Sequence, residues 1–411
     1  MRNIRKPATG IAAAFGICLT AALAVGAAAP VYGAEKAGPP GKQDHPAIVG
    51  HRGSAGLSPE NTVAGFEQAR NHGADLFEVD VQLSSDGEIF LFHDATGTRT
   101  SNVADVFPER AGDPITSFSA AELDQLDAGS YFGGSFAGEP IPDLRDAALV
   151  TNPRTGINIE LKSPENSPGV EAKLAEALGE KRYWQRLIAR NQIVVSSFDE
   201  TSLRTFHDLM PQIPVLLIGA VPDDAGLAAL AGWADGLVTN YRVLDPADVA
   251  RVQAAGLTLD VYTVNSLDAM LQMTALGVDS IITDFPGVLS ALQAGRNPLP
   301  DANGIEVSTV VADPPGNDVQ PENGEYVVLT NTSSVPVDVS GYVLQDAVIN
   351  RLAVGSGYVL NPGDELRVYT GPGTNTAGRY YNNRTTAVLN NTGDSLAIFT
   401  PGGAFVDLYA Y

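Results

Sequence analysis

Glu78 and Asp80 stand two residues apart, as do Glu160 and Lys162, in stretches whose apolar neighbours read as β-strands. Residues two apart on a strand face the same way, so each pair projects from one face. Two further apolar stretches end in His51-Arg52-Gly53 and His93-Asp94. Three carboxylates brought to one point repel one another unless protons or a cation intervene, and an all-oxygen set selects a hard ion, Mg²⁺ or Ca²⁺, over zinc. Such an inventory suits hydrolysis of a phosphodiester, which is mainly a problem of charge. The cation, Arg52 and Lys162 would neutralise phosphoryl oxygens, while one histidine takes a proton from the nucleophile and the other gives one to the leaving oxygen. Taken singly, each element has a duller account: Glu-x-Asp as a solvated strand face, His-Asp as a turn. Their joint placement at strand ends is what singles them out.

The elements that must position these residues follow a simple alternation. Short apolar runs at 47–51, 76–80, 157–161, 193–198, 215–218, 236–239, 257–264 and 280–284 alternate with helix-like stretches, the signature of a parallel α/β domain. Eight runs is the number of a TIM-like (β/α)8 barrel, whose active sites lie at the C-terminal ends of the strands. A ninth run, 89–93, follows too closely for a parallel crossover and is expected to be the return arm of a hairpin. A two-residue turn at Asp86-Gly87 would set Asp80 opposite His93. Residues 95–156 then form an insertion after the second strand, with one helical hint at 120–126. Ser58 is a plausible N-cap for a helix carrying Pro59, Glu60 and Asn61 in its first turn.

Helical periodicity ends in the Pro/Asn/Asp-rich stretch 297–304, and alternating strands with turns such as Asn361-Pro362-Gly363 follow to the end, as in a small all-β sandwich. The expected organisation is a signal peptide at 1–34, a linker at 35–45, the barrel at 46–296, a second linker at 297–304 and the β-domain at 305–411. With eight strands complete before Leu299, the barrel is expected to fold without that last domain.

Together these motifs resemble the glycerophosphodiester phosphodiesterases. The resemblance rests on His51-Arg52-Gly53, Pro59-Glu60-Asn61-Thr62, Glu78-Val79-Asp80-Val81, Asp86-Gly87, His93-Asp94 and Ile159-Glu160-Leu161-Lys162. It continues through Ser196-Ser197-Phe198-Asp199, Tyr262-Thr263-Val264-Asn265 and Thr283-Asp284-Phe285-Pro286, covering roughly residues 46–295. It implies His51 and His93 as the acid/base pair and Glu78, Asp80 and Glu160 as ligands of one divalent cation. It further implies Arg52 and Lys162 as phosphate contacts, with Glu60, Asn61 and Tyr262 on the substrate side. Tyr262 departs from the tryptophan more common in the family, which bears on the fit to the glycerol or leaving-group side rather than on the reaction. The implied reaction is release of glycerol 3-phosphate and an alcohol. A phospholipase D or sphingomyelinase D-like enzyme on the same barrel is the alternative, and an exported binding protein with a non-catalytic barrel is another. The segment from Ile305 resembles the lamin-tail type of immunoglobulin-like domain, through Asn323-Gly324-Glu325-Tyr326, Asp338-Val339-Ser340-Gly341-Tyr342 and Asn391-Thr392-Gly393-Asp394. It holds no cluster that would do chemistry, and a further alternative places the main function in this domain, as an attachment module for cell envelope or polymer.

Arg2, Arg5 and Lys6 ahead of an Ala/Gly/Leu run from Ala8 to Ala29 read as an export signal cleaved near Gly33 or Ala34, with a retained anchor as the alternative. The only cysteine, Cys18, lies inside that run, so the mature chain would be a disulfide-free secreted protein held together by burial. Removing residues 1–34 takes the formal charge from −23 to −26, since only three cationic side chains are lost. The default reading of that charge is solubility, and it makes nucleic acid a poor candidate partner. Soluble glycerophosphodiesters or a teichoic-acid-like polymer are the expected substrates.

Overall fold

The eight alternating apolar runs become barrel strands and the ninth a hairpin arm in the computed structural model, which describes residues 45–411. The strands are β1 (Ala47–Gly50), β2 (Leu76–Leu83), β3 (Ile89–Leu91), β4 (Gly156–Leu161), β5 (Ile193–Ser197), β6 (Val215–Ile218), β7 (Gly236–Asn240), β8 (Thr258–Tyr262) and β9 (Ser280–Thr283). They pair in the order β1-β9-β8-β7-β6-β5-β4-β2-β3, and β1 pairs back onto β2 to close the ring. All pairings in the ring are parallel, with β3 an antiparallel arm on β2. The expected export signal at 1–34 and all of the 35–45 linker except His45 lie outside the described residues. Among the described residues no helix is long and apolar enough to cross a membrane.

Strand alternation sorts the apolar side chains into two layers. Val49, Leu76, Val194, Leu216, Val238 and Ile282 form one buried cluster. Their sequence neighbours Ile48, Phe77, Val195, Val215, Leu237 and Ile281 belong to the larger core, together with helix residues such as Phe66, Leu203, Phe206 and Met270. Asp199, Asp223 and Ser266 start the helices after their strands by accepting from the backbone N–H of Ser202, Gly226 and Ala269. Each such cap contributes about 1 kcal/mol.

Two expectations about local geometry are corrected. The hairpin closes as Leu83 opposite Ile89 and Val81 opposite Leu91, with Ser84 N–H donating to the Glu88 carbonyl. The loop therefore has three residues, 85–87, and Gly87 takes the left-handed conformation (φ +83°) that such a loop needs. Phe92, not His93, lies across from Asp80, its N–H donating to the Asp80 carbonyl. The helix after β1 begins later than expected, at Val63–Asn71, with Thr62 as its cap. Ser58 instead donates to Gln68, and residues 59–61 form a turn ahead of the helix.

The insertion carries its own small core of Phe90, Phe92, Val103, Ile115, Phe118 and Leu123, and the helical hint appears as Ala120–Leu123. The helix Leu144–Val150, inside the stretch read as insertion, packs against the barrel helix Val63–Asn71 and completes the β2 to β4 crossover.

Beyond residue 304 the chain forms two four-stranded sheets. Strands Ile305–Val311, Tyr326–Asn331, Glu365–Tyr369 and Arg379–Tyr381 make one; Arg351–Ala353, Val343–Asp346, Ser395–Phe399 and Phe405–Ala410 make the other. Val327, Leu329, Leu344, Leu366, Leu396 and Ile398 share the core of this domain. Ala397 and Leu408, paired across two strands, turn outward into the barrel's core instead, with Phe399 and Phe405 packed beside them. The barrel is expected above to fold without this domain, yet its hydrophobic core runs on into it.

Candidate active site

Parallel pairing of β2 with β4 places Asp80 directly beside Glu160 and Glu78 beside Asn158. One carboxylate oxygen from each of Glu78, Asp80 and Glu160 lies within 4.8 Å of the others, and all three residues are enclosed. Glu78 accepts from the backbone N–H of Arg52 at 2.6 Å. Asn61 grips Asp80 twice, its Nδ2 donating to Oδ2 at 2.7 Å and its Oδ1 accepting from the Asp80 N–H at 3.1 Å. Asp80 Oδ1 is buried and accepts no hydrogen bond, with Lys162 Nζ 3.5 Å away. Lys162 also contacts Glu160 at 2.8 Å.

The backbone is bent to achieve this. Arg52 and Asn61 both take left-handed conformations (φ +49° and +50°), uncommon outside glycine, and strain of this kind clusters at functional sites. Gly53 follows at φ +94°, where an added Cβ would meet the Gly65 carbonyl carbon at 2.6 Å.

Burial, reinforced by Asp80 and Glu160, raises the Glu78 carboxyl well above the ordinary range. Burial and the neighbouring Asp80 likewise raise Glu160. For Asp80 burial acts upward too, but His93, Lys162 and Arg52 outweigh it and hold the carboxyl below its usual range. This trio fits a hard divalent cation on three counts: the donors are all oxygens, one buried oxygen lacks a donor, and the mutual repulsion is of the kind a cation relieves.

A second run of charges flanks the trio. Arg52 Nη1 meets Glu60 Oε1 at 2.9 Å, and Arg99 from the insertion clamps both Glu60 oxygens at 2.7 and 2.8 Å. Arg99 also takes both oxygens of Asp94, at 2.6 and 2.8 Å. Glu60, His93 and Asp94 are close enough to one another to hold a metal, but the Arg99 guanidinium already bridges the two carboxylates. Burial raises the Glu60 carboxyl, yet Arg52 and Arg99 overcome it and bring it down to about 2. Tyr131, also from the insertion, receives the Glu60 N–H at 2.9 Å.

Both histidines are oriented through Nδ1. His51 Nδ1 lies 2.7 Å from Asp284 Oδ1, and His93 Nδ1 lies 2.7 Å from Asp94 Oδ1. With Nδ1 held by a carboxylate, Nε2 is the nitrogen left for proton transfer. Gln82 steadies the second histidine by donating to the carbonyls of Phe92 and Asp94 on either side of it, at 2.7 and 3.4 Å. So His93 lies close to Asp80 although the strand pairing stops short of it.

A cavity of about 200 Å³ at this end of the barrel is lined by His51, His93, Arg52, Glu78, Glu160 and Lys162, with Phe198 and Tyr262 as aromatic walls. Phe198 is 57% exposed and meets Tyr262 edge to face at 6.2 Å, so this side opens to solvent. A neighbouring depression shares Glu160, Lys162 and Phe198 and extends over Pro164 and Asp199. Seven of the ten expected site residues thus line the cavity, Tyr262 among them, while Asp80, Asn61 and Glu60 stand directly behind them through the contacts above. Sequence reasoning did not single out Asp284 and Asn265, although both lie in quoted motifs, and a carboxylate at the end of the last strand was the available signal. Arg99 and Tyr131 carry no such signal, because the insertion has no periodicity from which to place them.

Residues 51–288 match the glycerophosphoryl diester phosphodiesterase family, and residues 298–411 match the lamin tail domain. A glycerophosphodiester phosphodiesterase of Caldanaerobacter subterraneus is 36% identical over 247 residues, covering 59% of this chain and 95% of that protein. One from Bacillus altitudinis is 34% identical, covering 58% and 94%. Among solved structures, an Oleispira antarctica phosphodiesterase in complex with the product sn-glycerol-3-phosphate is 30% identical, with a TM-score of 0.52 over 61% of this chain and 97% of that one.

Proposed function

Because the chain belongs to the glycerophosphoryl diester phosphodiesterase family, we propose that it hydrolyses glycerophosphodiesters to glycerol 3-phosphate and an alcohol, in the extracellular space. The observation that carries this reading is the pair of carboxylate-held histidines facing one cavity with Glu78 and Glu160, and Asp80 directly behind them. Glu78, Asp80 and Glu160 would hold Mg²⁺ or Ca²⁺, which when bound supplies positive charge to a phosphoryl oxygen.

Arg52 and Lys162 bring further positive charge to the same cavity, matched to the non-bridging oxygens of a phosphodiester. Arg52 is held rigid by Glu60, which Arg99 in turn fixes, so its guanidinium is set before substrate arrives. One of His51 and His93 removes a proton from the nucleophile through Nε2, and the other protonates the leaving alkoxide. Asn61 aligns Asp80 by its double hydrogen bond. Tyr262 and Phe198 offer an aromatic surface to the departing alcohol on the open side.

The export part of this reading is supported by Arg2, Arg5 and Lys6 ahead of the apolar run Ala8 to Ala29, and an exported enzyme would draw its substrate from deacylated phospholipid or a teichoic-acid-like polymer. The test is release of glycerol 3-phosphate from a panel of glycerophosphodiesters, with and without chelator. Release that chelation stops and added Mg²⁺ or Ca²⁺ restores supports the reading; no release from any member of the panel sinks it.

A further inference from the structure

We propose that the C-terminal domain is a working part of the active site, and that Ser395 acts through Asn265 and Asp284 as a positioning residue for His51. The inference rests on the reading of His51 as an acid/base group.

The domain docks on the catalytic end of the barrel. Gln345 donates to the Gly56 carbonyl in the loop after β1 at 2.9 Å. Arg351 donates to the Phe132 carbonyl of the insertion at 2.6 Å. Arg242, after β7, donates to the carbonyls of Tyr411 and Asp394 at 2.5 and 3.0 Å. Phe405 stacks on Phe285, the residue following Asp284, with ring centroids 5.3 Å apart. The contacts cover the β7, β8, β9 and β1 side of the rim and leave exposed Phe198, after β5, on the other.

Within this interface one contact reaches the chemistry. Asn265 is buried, and its amide spends every hydrogen-bonding group on a defined partner. Its Oδ1 accepts from Thr283 Oγ1 at 3.1 Å and from the Asp284 N–H at 2.9 Å. Its Nδ2 donates to Asp284 Oδ2 and, at 3.3 Å, to Ser395 Oγ of the C-terminal domain. Asp284 then presents its other oxygen to His51 Nδ1. Four side chains in line, Ser395, Asn265, Asp284 and His51, join the second domain to the imidazole. Without the Ser395 hydroxyl, a buried N–H loses its acceptor, a cost that moving the Asn265 amide would relieve, and Asp284 would move with it. A catalytic group displaced by about 1 Å can cost up to roughly 10²-fold in rate.

The experiment uses the full-length protein with glycerophosphocholine as substrate and ¹⁵N-histidine labelling to observe the His51 Nδ1–H, assigned with H51A. S395A is expected to lower kcat about tenfold with KM within about twofold, to shift the His51 Nδ1–H resonance, and to melt within a few degrees of wild type. S395T, which keeps the hydroxyl, should restore both rate and resonance. Should S395A fail to fold, S395C is isosteric with a weaker acceptor, and a lowered kcat with a shifted resonance is expected of it too. An unmoved resonance with wild-type kcat overturns the proposal, as does a loss of kcat without any change at His51. The resonance reads the coupling without turnover, so it remains decisive even if glycerophosphodiesters prove not to be the substrate.

Discussion

Asp80 and Glu160 are direct neighbours on adjacent parallel strands, and both side chains point to the same end of the barrel. Strand pairing alone puts two carboxylates side by side, and Glu78, two residues before Asp80, completes the trio. The fold therefore builds in a repulsion that a cation would turn into binding.

That repulsion has a stability cost in the metal-free protein. Glu78 has its carboxyl raised by burial and by Asp80 and Glu160, so its ionised form is disfavoured in the fold relative to the unfolded chain. For an acid raised in this way, stability is lost as pH rises through the unfolded and then the folded value, and neutral pH lies on the costly side. E78Q, which can still accept from the Arg52 N–H, should raise the metal-free melting temperature by about 2–4 °C for each kcal/mol relieved. Wild type should in turn gain stability on adding Mg²⁺ or Ca²⁺, and E78Q should not. A metal-free E78Q melting below metal-free wild type would remove the repulsion from the account.

H51A and H93A should each lower kcat by about 10²-fold or more, the loss expected for a general acid or base. KM should change much less, because Arg52 and Lys162 remain to bind phosphate. Steady-state kinetics on a soluble substrate measures both. A variant retaining near wild-type kcat would reduce that histidine to a structural part.

Arg99 has a distinct acid signature. Glu60, brought down to about 2 from an ordinary 4.5, is more readily ionised in the folded protein than in the unfolded chain. Its contribution is complete above the ordinary value and is lost as pH falls from there toward about 2. R99A removes two of the bonds that hold Glu60, so its carboxyl should rise and acid unfolding should begin at higher pH. Melting curves across that acid range test this, and kcat should fall because Arg52 is no longer fixed. Coincident acid profiles for R99A and wild type would show that Arg99 does not hold Glu60 ionised.

What the sequence disclosed depended on periodicity. His51, Glu78, Asp80, Glu160 and Lys162 were legible because strand alternation and the barrel's polarity assign them a face and an end. The hairpin register was missed by one residue, since Asp86-Gly87 suits both a two-residue turn and the three-residue loop observed, and only the tertiary fit decides. Arg99 lies in irregular chain, where nothing local tells which carboxylates it will bridge. The docking of the second domain was illegible for another reason: Gln345, Arg351 and Arg242 bind backbone carbonyls, and any residue offers those.

The last prediction concerns the chain ended at Leu299. An attached module that only tethers the enzyme could be removed with no effect on a small soluble substrate, and its loss would show only on an insoluble or polymeric one, where effective concentration matters. The structure argues for a different outcome. Ala397, Leu408, Phe399 and Phe405 pack into the barrel's own core, and Phe405 covers Phe285 beside the His51 partner Asp284. Burying a phenylalanine side chain is worth about 1.5–3 kcal/mol. Uncovering several apolar side chains at once should lower the melting temperature by roughly 10 °C or more. The truncated protein should also lose kcat on glycerophosphocholine, since Asn265 no longer has Ser395 to hold its amide. Rates of the truncated and full-length proteins on a soluble glycerophosphodiester and on a particulate polymer separate the two cases. A similar fall on both substrates is expected. A truncated barrel that melts like the full-length protein and keeps its full rate on the soluble substrate would return the C-terminal domain to the role of a tether.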